Sequence, residues 1–139
     1  MKVDVNWLGK DFHMEAGNEE GGKIRIDGNT RIGGIEGGMS PMQLLLAGIG
    51  GCSAIDVISI LEKQKQDLKS LKVEVDGDKQ KTEVGYSEYK SIHMHFILSG
   101  NLDEKKVQRA LDLSITKYCS VSKALEKGSE ISYDFSIKN

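Results

Sequence analysis

The chain is short of several things that would narrow its class at once. It has only two cysteines among 139 residues, which cannot staple a disulfide-rich scaffold. Its formal net charge is −2, so no uniform basic field exists to draw in nucleic acid. Its charged runs, such as Asp103-Glu104-Lys105-Lys106, mix both signs and read as solvated helix surface. The longest apolar stretch, Leu44 to Ile60, is interrupted by glycine, serine and Asp56, so the expectation is no membrane span. The N-terminus (MKVDVNWLGKD) alternates and carries acids, unlike a secretory leader. A cytoplasmic protein is expected, with both thiols free or forming a redox pair in a reducing compartment.

What is present is an ordered alternation of patterns. Residues 3–8, 11–16 and 23–27 read as three short strands of an antiparallel meander. A glycine-rich loop follows over residues 28–39 and carries Arg31. Ser40-Pro41 then announces a helix, serine as the N-cap and proline at the first helical position. The segment beyond it is apolar nearly all round as far as Leu61, as a buried central helix is. Gly48, Gly50 and Gly51 interrupt it, at a cost of roughly 1 kcal/mol each relative to alanine. Either another segment packs close against them or the helix breaks and restarts near Cys52, giving that thiol an electropositive helix N-terminus.

Residues 71–76 and 89–98 alternate as two strands, joined by a long hairpin connection over 77–88. In the second, Ile92, Met94, Phe96 and Leu98 share one face, and Ser91, His93 and His95 the other. Asn101 or Asp103 caps a second helix whose stripe is Val107, Leu111, Ile115, Tyr118, Ser122 and Leu125, with Gly128 as its stop. Residues 131–137 close the chain as a strand. The order β-β-β-α-β-β-α-β argues an α+β fold in one domain spanning 1–139.

Chemistry concentrates on the thiols. Cys52 lies in GGCSAIDV on the most apolar segment, and Cys119 in KYCSVSKAL beside the second helix's stripe. Each reads either as a small buried hydrophobe or as a reactive thiol. Helices pack about 8–10 Å apart, so the two side chains can approach, although spacing alone does not bring them together. Asp56, four residues after Cys52, either orients a partner or disfavours a thiolate by like charge. His93 and His95 read as a wet or interface-facing strand surface, His13 lies on another strand, and no cluster completes a metal site. No phosphate loop and no Ser–His–Asp arrangement is present, and no cofactor is expected.

The block SPMQLLLAGIGGCSAIDVISIL, followed about 60 residues later by DLSITKYCSVSKALEK, resembles the OsmC/Ohr superfamily, and within it the YhfA-type OsmC-like branch. The resemblance implies an intertwined homodimer with two central helices wrapped by antiparallel sheet from both chains. It also implies active sites at the subunit interface, where organic hydroperoxides are reduced with the help of a thiol reductant. On that pattern Cys52 is the attacking thiolate and Cys119 the resolving cysteine. Peroxidase members carry a glutamate immediately after the proline, and here that position is Met42. The residues available to support the site are Arg25, Arg31 and Gln43, with Lys10 a weaker cation. Two further readings are a dimer that binds a small hydrophobic ligand, its pocket lined by Met39, Met42 and neighbouring leucines, and a thiol redox sensor.

Overall fold

In the computed structural model, residues 1–28 and 38–138 are described; most of the glycine-rich loop, with Arg31, lies outside them. The chain forms two compact units, Met1–Leu45 and Leu46–Asn139.

The N-terminal unit holds the predicted meander. Strands β1 (Val3–Trp7), β2 (His13–Asn18) and β3 (Lys23–Asp27) pair antiparallel in sequence order. Its sheet leaves Val3, Val5, Trp7 and Ile24 exposed. Met39 bridges Ile26 in parallel, just before helix α1 (Pro41–Lys63) begins. The start of α1 is a capping box. The Gln43 N–H donates to Ser40 Oγ at 3.2 Å, and the Ser40 N–H donates to Gln43 Oε1 at 2.9 Å.

The C-terminal unit is built on a three-stranded sheet of β4 (Asp67–Lys81), β5 (Ser87–Asn101) and β6 (Glu130–Lys138). The β4–β5 pair is antiparallel, and both strands run well past their apolar cores, so the expected long connection shrinks to residues 82–86. Strand β6 pairs with β5 in parallel. The sheet is therefore mixed rather than wholly antiparallel, because the chain between β5 and β6 is a helical crossover, which parallel pairing requires. Ile92, Met94, Phe96 and Leu98 are fully buried, as their alternation predicts. Each such side chain contributes about 1.5–3 kcal/mol by leaving water.

Helix α1 is continuous over 23 residues, which removes the helix-break reading of its glycines. It does not break near Cys52, so Cys52 has no helix N-terminus. Gly50 is needed for close packing instead: a Cβ there would stand 2.9 Å from Val75 Cγ2 on β4. On length and composition alone α1 would also suffice to cross a bilayer, which corrects the expectation that no segment would. Five of its residues, Ile49, Gly50, Ser53, Val57 and Leu61, are buried against protein.

The second predicted helix is three pieces. Helix α2 (Glu104–Leu113) is capped by Asp103, whose side chain accepts from the Lys105 N–H at 3.3 Å. A π-turn (Ser114–Tyr118) follows, closed by the Cys119 N–H donating to the Ser114 carbonyl at 2.7 Å. Cys119 itself is extended, and helix α3 (Ser120–Leu125) starts after it. The widened turn shifts the phase of the apolar stripe. Tyr118, predicted on the stripe, is exposed, and Cys119 takes the buried position.

Candidate functional site

The phase shift in the π-turn delivers Cys119 to α1. Cys52 is half-buried on α1 and Cys119 is fully buried at the break before α3; neither is in a disulfide. Asp56 lies one helical turn beyond Cys52. The two Sγ atoms and an Asp56 carboxylate oxygen all lie within 4.8 Å of one another. Spacing alone did not reveal this trio, because Cys119 enters it only through the irregular backbone of residues 114–119.

Serines tie the cluster together. Ser53 Oγ donates toward Cys119 Sγ at 3.4 Å, with Met94 Sδ at 3.7 Å as its other neighbour. The Ser114 hydroxyl lies 3.2 Å from both the Ser53 carbonyl and Asp56 Oδ2, and shares its proton between them. The Ser122 N–H donates to Cys119 Sγ at 3.3 Å. Burial pushes the Cys119 thiol above its ordinary pKa; the hydrogen bonds from Ser53 and Ser122 oppose that rise, and the hydrogen bond and charge of Cys52 add to it. Cys119 therefore holds its proton beside the more accessible Cys52.

Asp56 also opens onto a cleft of about 600 Å³ lined by Ser59, Ile60, Lys63, Arg109, Leu113 and Tyr118. Arg109 is the functional candidate that sequence reasoning missed. It lies on α2, after Cys52 in the chain, and nothing in the pattern of that helix marks it beyond its charge.

The other candidates are placed as follows. Arg25 is in the N-terminal unit, where its Nε pairs with Glu15 at 3.5 Å. Gln43 spends its side chain on the capping box. Lys117 lies over the Tyr118 ring, 5.2 Å from its centroid, and Lys123 pairs with Glu126 at 3.3 Å. His93 and His95 stand on the outer face of β5. Both reach the same Asp134 oxygen, His93 Nε2 at 3.0 Å and His95 Nδ1 at 2.7 Å.

The site brings together two thiols from distant parts of the chain. The OsmC-like protein family model matches residues 33–134. The chain belongs to the OsmC-like family. It is 37% identical to Protein YhfA of Escherichia coli (strain K12), over 99% of this chain and 98% of YhfA. Among solved OsmC-like folds and their neighbours, a hypothetical protein from Aquifex aeolicus VF5 is 28% identical with a TM-score of 0.80, covering 99% of this chain and 97% of that one. An organic hydroperoxide resistance protein OsmC from Legionella pneumophila has a TM-score of 0.72 at 18% identity, covering 97% and 95%. The last likeness carries the fold. The β-β-β-α-β-β order and the α+β class read from the sequence are those of this OsmC-like chain.

Proposed function

We propose that this OsmC-like protein is a thiol-dependent redox protein that reduces organic hydroperoxides through Cys52 and Cys119. The observation that carries the reading is the pair itself: one accessible thiol and one buried thiol that keeps its proton, within 4.8 Å. The Cys52 thiolate attacks the O–O bond of the hydroperoxide. Cys52 becomes a sulfenic acid, and the leaving alkoxide takes a proton to become the alcohol. The Cys119 thiol then condenses with the sulfenic acid, forming the disulfide and releasing water. An external thiol reductant returns both cysteines to the thiol state. Bonding brings the Sγ atoms from within 4.8 Å to the roughly 2.05 Å of a disulfide.

The cleft beside Asp56 joins an apolar wall, Ile60 and Leu113, to the cations Lys63 and Arg109. It suits the organic part of such a substrate. In this reading Arg25, Arg31 and Gln43 remain the candidate supporting residues for Cys52, and Arg109 supplies a cation in the cleft that Asp56 opens onto.

The working form is a homodimer of a single OsmC-like domain spanning 1–139, in the reducing cytoplasm. Its support is the large apolar side chains left exposed, Trp7 and Phe12 in the N-terminal unit and Ile55 and Ile58 on α1. An α1 that presents such residues to water is a helix with one face still to be covered.

A second reading has an observation of its own. A groove of about 300 Å³ between α1 and β4, lined by Leu46, Ala47, Ile58, Leu71, Val73 and Val75, fits a small hydrophobic ligand.

The test is to mix reduced protein with one equivalent of an organic hydroperoxide and count free thiols over time. Both thiols disappear within seconds to minutes, the loss needs Cys52, and Cys119→Ser leaves a trappable sulfenic acid on Cys52. Thiols that survive an hour rule the peroxidase out and turn attention to the groove.

A further inference from the structure

Two thiols and a carboxylate converge within 4.8 Å, the donor set that a thiophilic cation takes.

We infer that the reduced Cys52, Cys119 and Asp56 form a three-ligand site for a divalent ion of the zinc class, with the fourth position open to water or a small ligand. In tetrahedral coordination, Zn–S bonds of about 2.3 Å and Zn–O bonds of about 2.0 Å put the ligand atoms roughly 3.5–3.8 Å apart. The observed limit of 4.8 Å leaves about 1 Å to close on binding. Hydrogen bonds already orient the ligands: Ser114 Oγ donates to Asp56 Oδ2, and the Ser53 hydroxyl and Ser122 N–H aim at Cys119 Sγ. Residue spacing is consistent with this: Cys52 and Asp56 share one helix face at i and i+4. Binding displaces the two thiol protons into solvent, and the ion's two positive charges offset two of the three negative ligands. No electrons move. The bound ion sequesters both sulfurs, so it holds the pair reduced and out of reach of oxidants.

The inference needs only the reduced pair and does not depend on peroxidase turnover. Full-length reduced, metal-free protein is titrated with Co²⁺ under anaerobic conditions, then with Zn²⁺ as competitor. The expected result is a thiolate-to-cobalt charge-transfer band that saturates at a single equivalent and is abolished by Zn²⁺. The band is lost in Cys52→Ser and in Cys119→Ser, and Asp56→Asn weakens binding by about tenfold or more. The His93→Ala/His95→Ala double variant binds as the parent does, which separates this site from the imidazoles of the outer face. Circular dichroism of each variant confirms that it is folded. Should a cysteine variant fail to fold, alkylation of the parent replaces it: zinc at one equivalent slows modification of both thiols. No sulfur-to-cobalt band, a band that survives loss of either cysteine, or undiminished affinity in Asp56→Asn overturns the three-ligand site. Hydroperoxide consumption is read on the metal-free protein alone, so failure of either idea leaves the other standing.

Discussion

The C-terminal unit carries two polar clusters on opposite sides of β5, and they are governed by opposite forces. Toward the core, Cys119 is surrounded by Ser53, Ser114 and Ser122, with Asp56 and Cys52 at its border. On the outer face, His93 and His95 share Asp134, with Ser132 Oγ 2.7 Å from His93 Nδ1. Burial dominates inside and pushes the Cys119 thiol up. Hydrogen bonds dominate outside: those from His95 and then His93 pull the Asp134 carboxyl down, against a small opposing effect of burial. The lesson is that ligand-type residues do not define a site. The histidines have the more familiar side chains for chemistry, yet they sit where water competes for every bond. The serines and thiols sit where each unmet bond is costly, and a network there holds its geometry.

That difference can be broken most forcefully from the inside. Ser114→Ala removes the hydroxyl that serves both Asp56 Oδ2 and the Ser53 carbonyl. It strands a partly buried carboxylate acceptor and lowers stability by about 1–3 kcal/mol. Urea unfolding at neutral pH measures this as a lower midpoint with an unchanged slope. A change below a few tenths of a kcal/mol would mean that solvent reaches Asp56 freely, and the contrast between the clusters would collapse.

An intermediate case lies on the inner face of β6. The Tyr133 hydroxyl donates to Asp112 Oδ1 at 2.7 Å, and burial, then that bond and the carboxylate's charge, push its pKa up to about 12. The folded state therefore keeps a proton that the unfolded chain loses near pH 10. Stability from this group is fully present below pH 10 and is lost as pH rises toward about 12. Tyr133→Phe costs about 1 kcal/mol at neutral pH and flattens the alkaline fall in a series of melts from pH 9 to 12.

Sequence legibility followed regularity. Strand β3 is legible to the residue, and the buried face of β5 side chain by side chain, because a period of two has one solution. The start of α1 is legible from Ser40 and Pro41, whereas the Gln43 side chain, a candidate for chemistry by its position before Cys52, completes the cap. The two cysteines were legible as the chemistry, but not their meeting. That depends on a five-residue π-turn, an insertion that no periodicity announces, and it moved Tyr118 out and Cys119 in. Arg109 escaped because a cleft gathers its lining from two helices far apart in the chain. The parallel β5–β6 pairing follows from the helical crossover, but the sequence pattern of β6 is the same for either direction.

The smallest expected effect tests the outer cluster. Asp134 is 60% exposed at its side chain, so its bonds to two imidazoles are screened and compete with water. Its carboxyl is held below the ordinary carboxylate value, so its contribution is present above that ordinary value and is lost as pH falls through the lowered one. Asp134→Asn should change stability at neutral pH by no more than about 0.5 kcal/mol. It should also make unfolding midpoints slightly less sensitive to acid below pH 4 and leave thiol reactivity untouched. High salt should erase most of the difference between Asp134→Asn and the parent, while the Ser114→Ala deficit persists, because a Debye length of about 3 Å at 1 M salt weakens the exposed pair and does not reach the buried network. A salt-insensitive loss above 1 kcal/mol in Asp134→Asn would show that the outer histidines are held as firmly as the thiols.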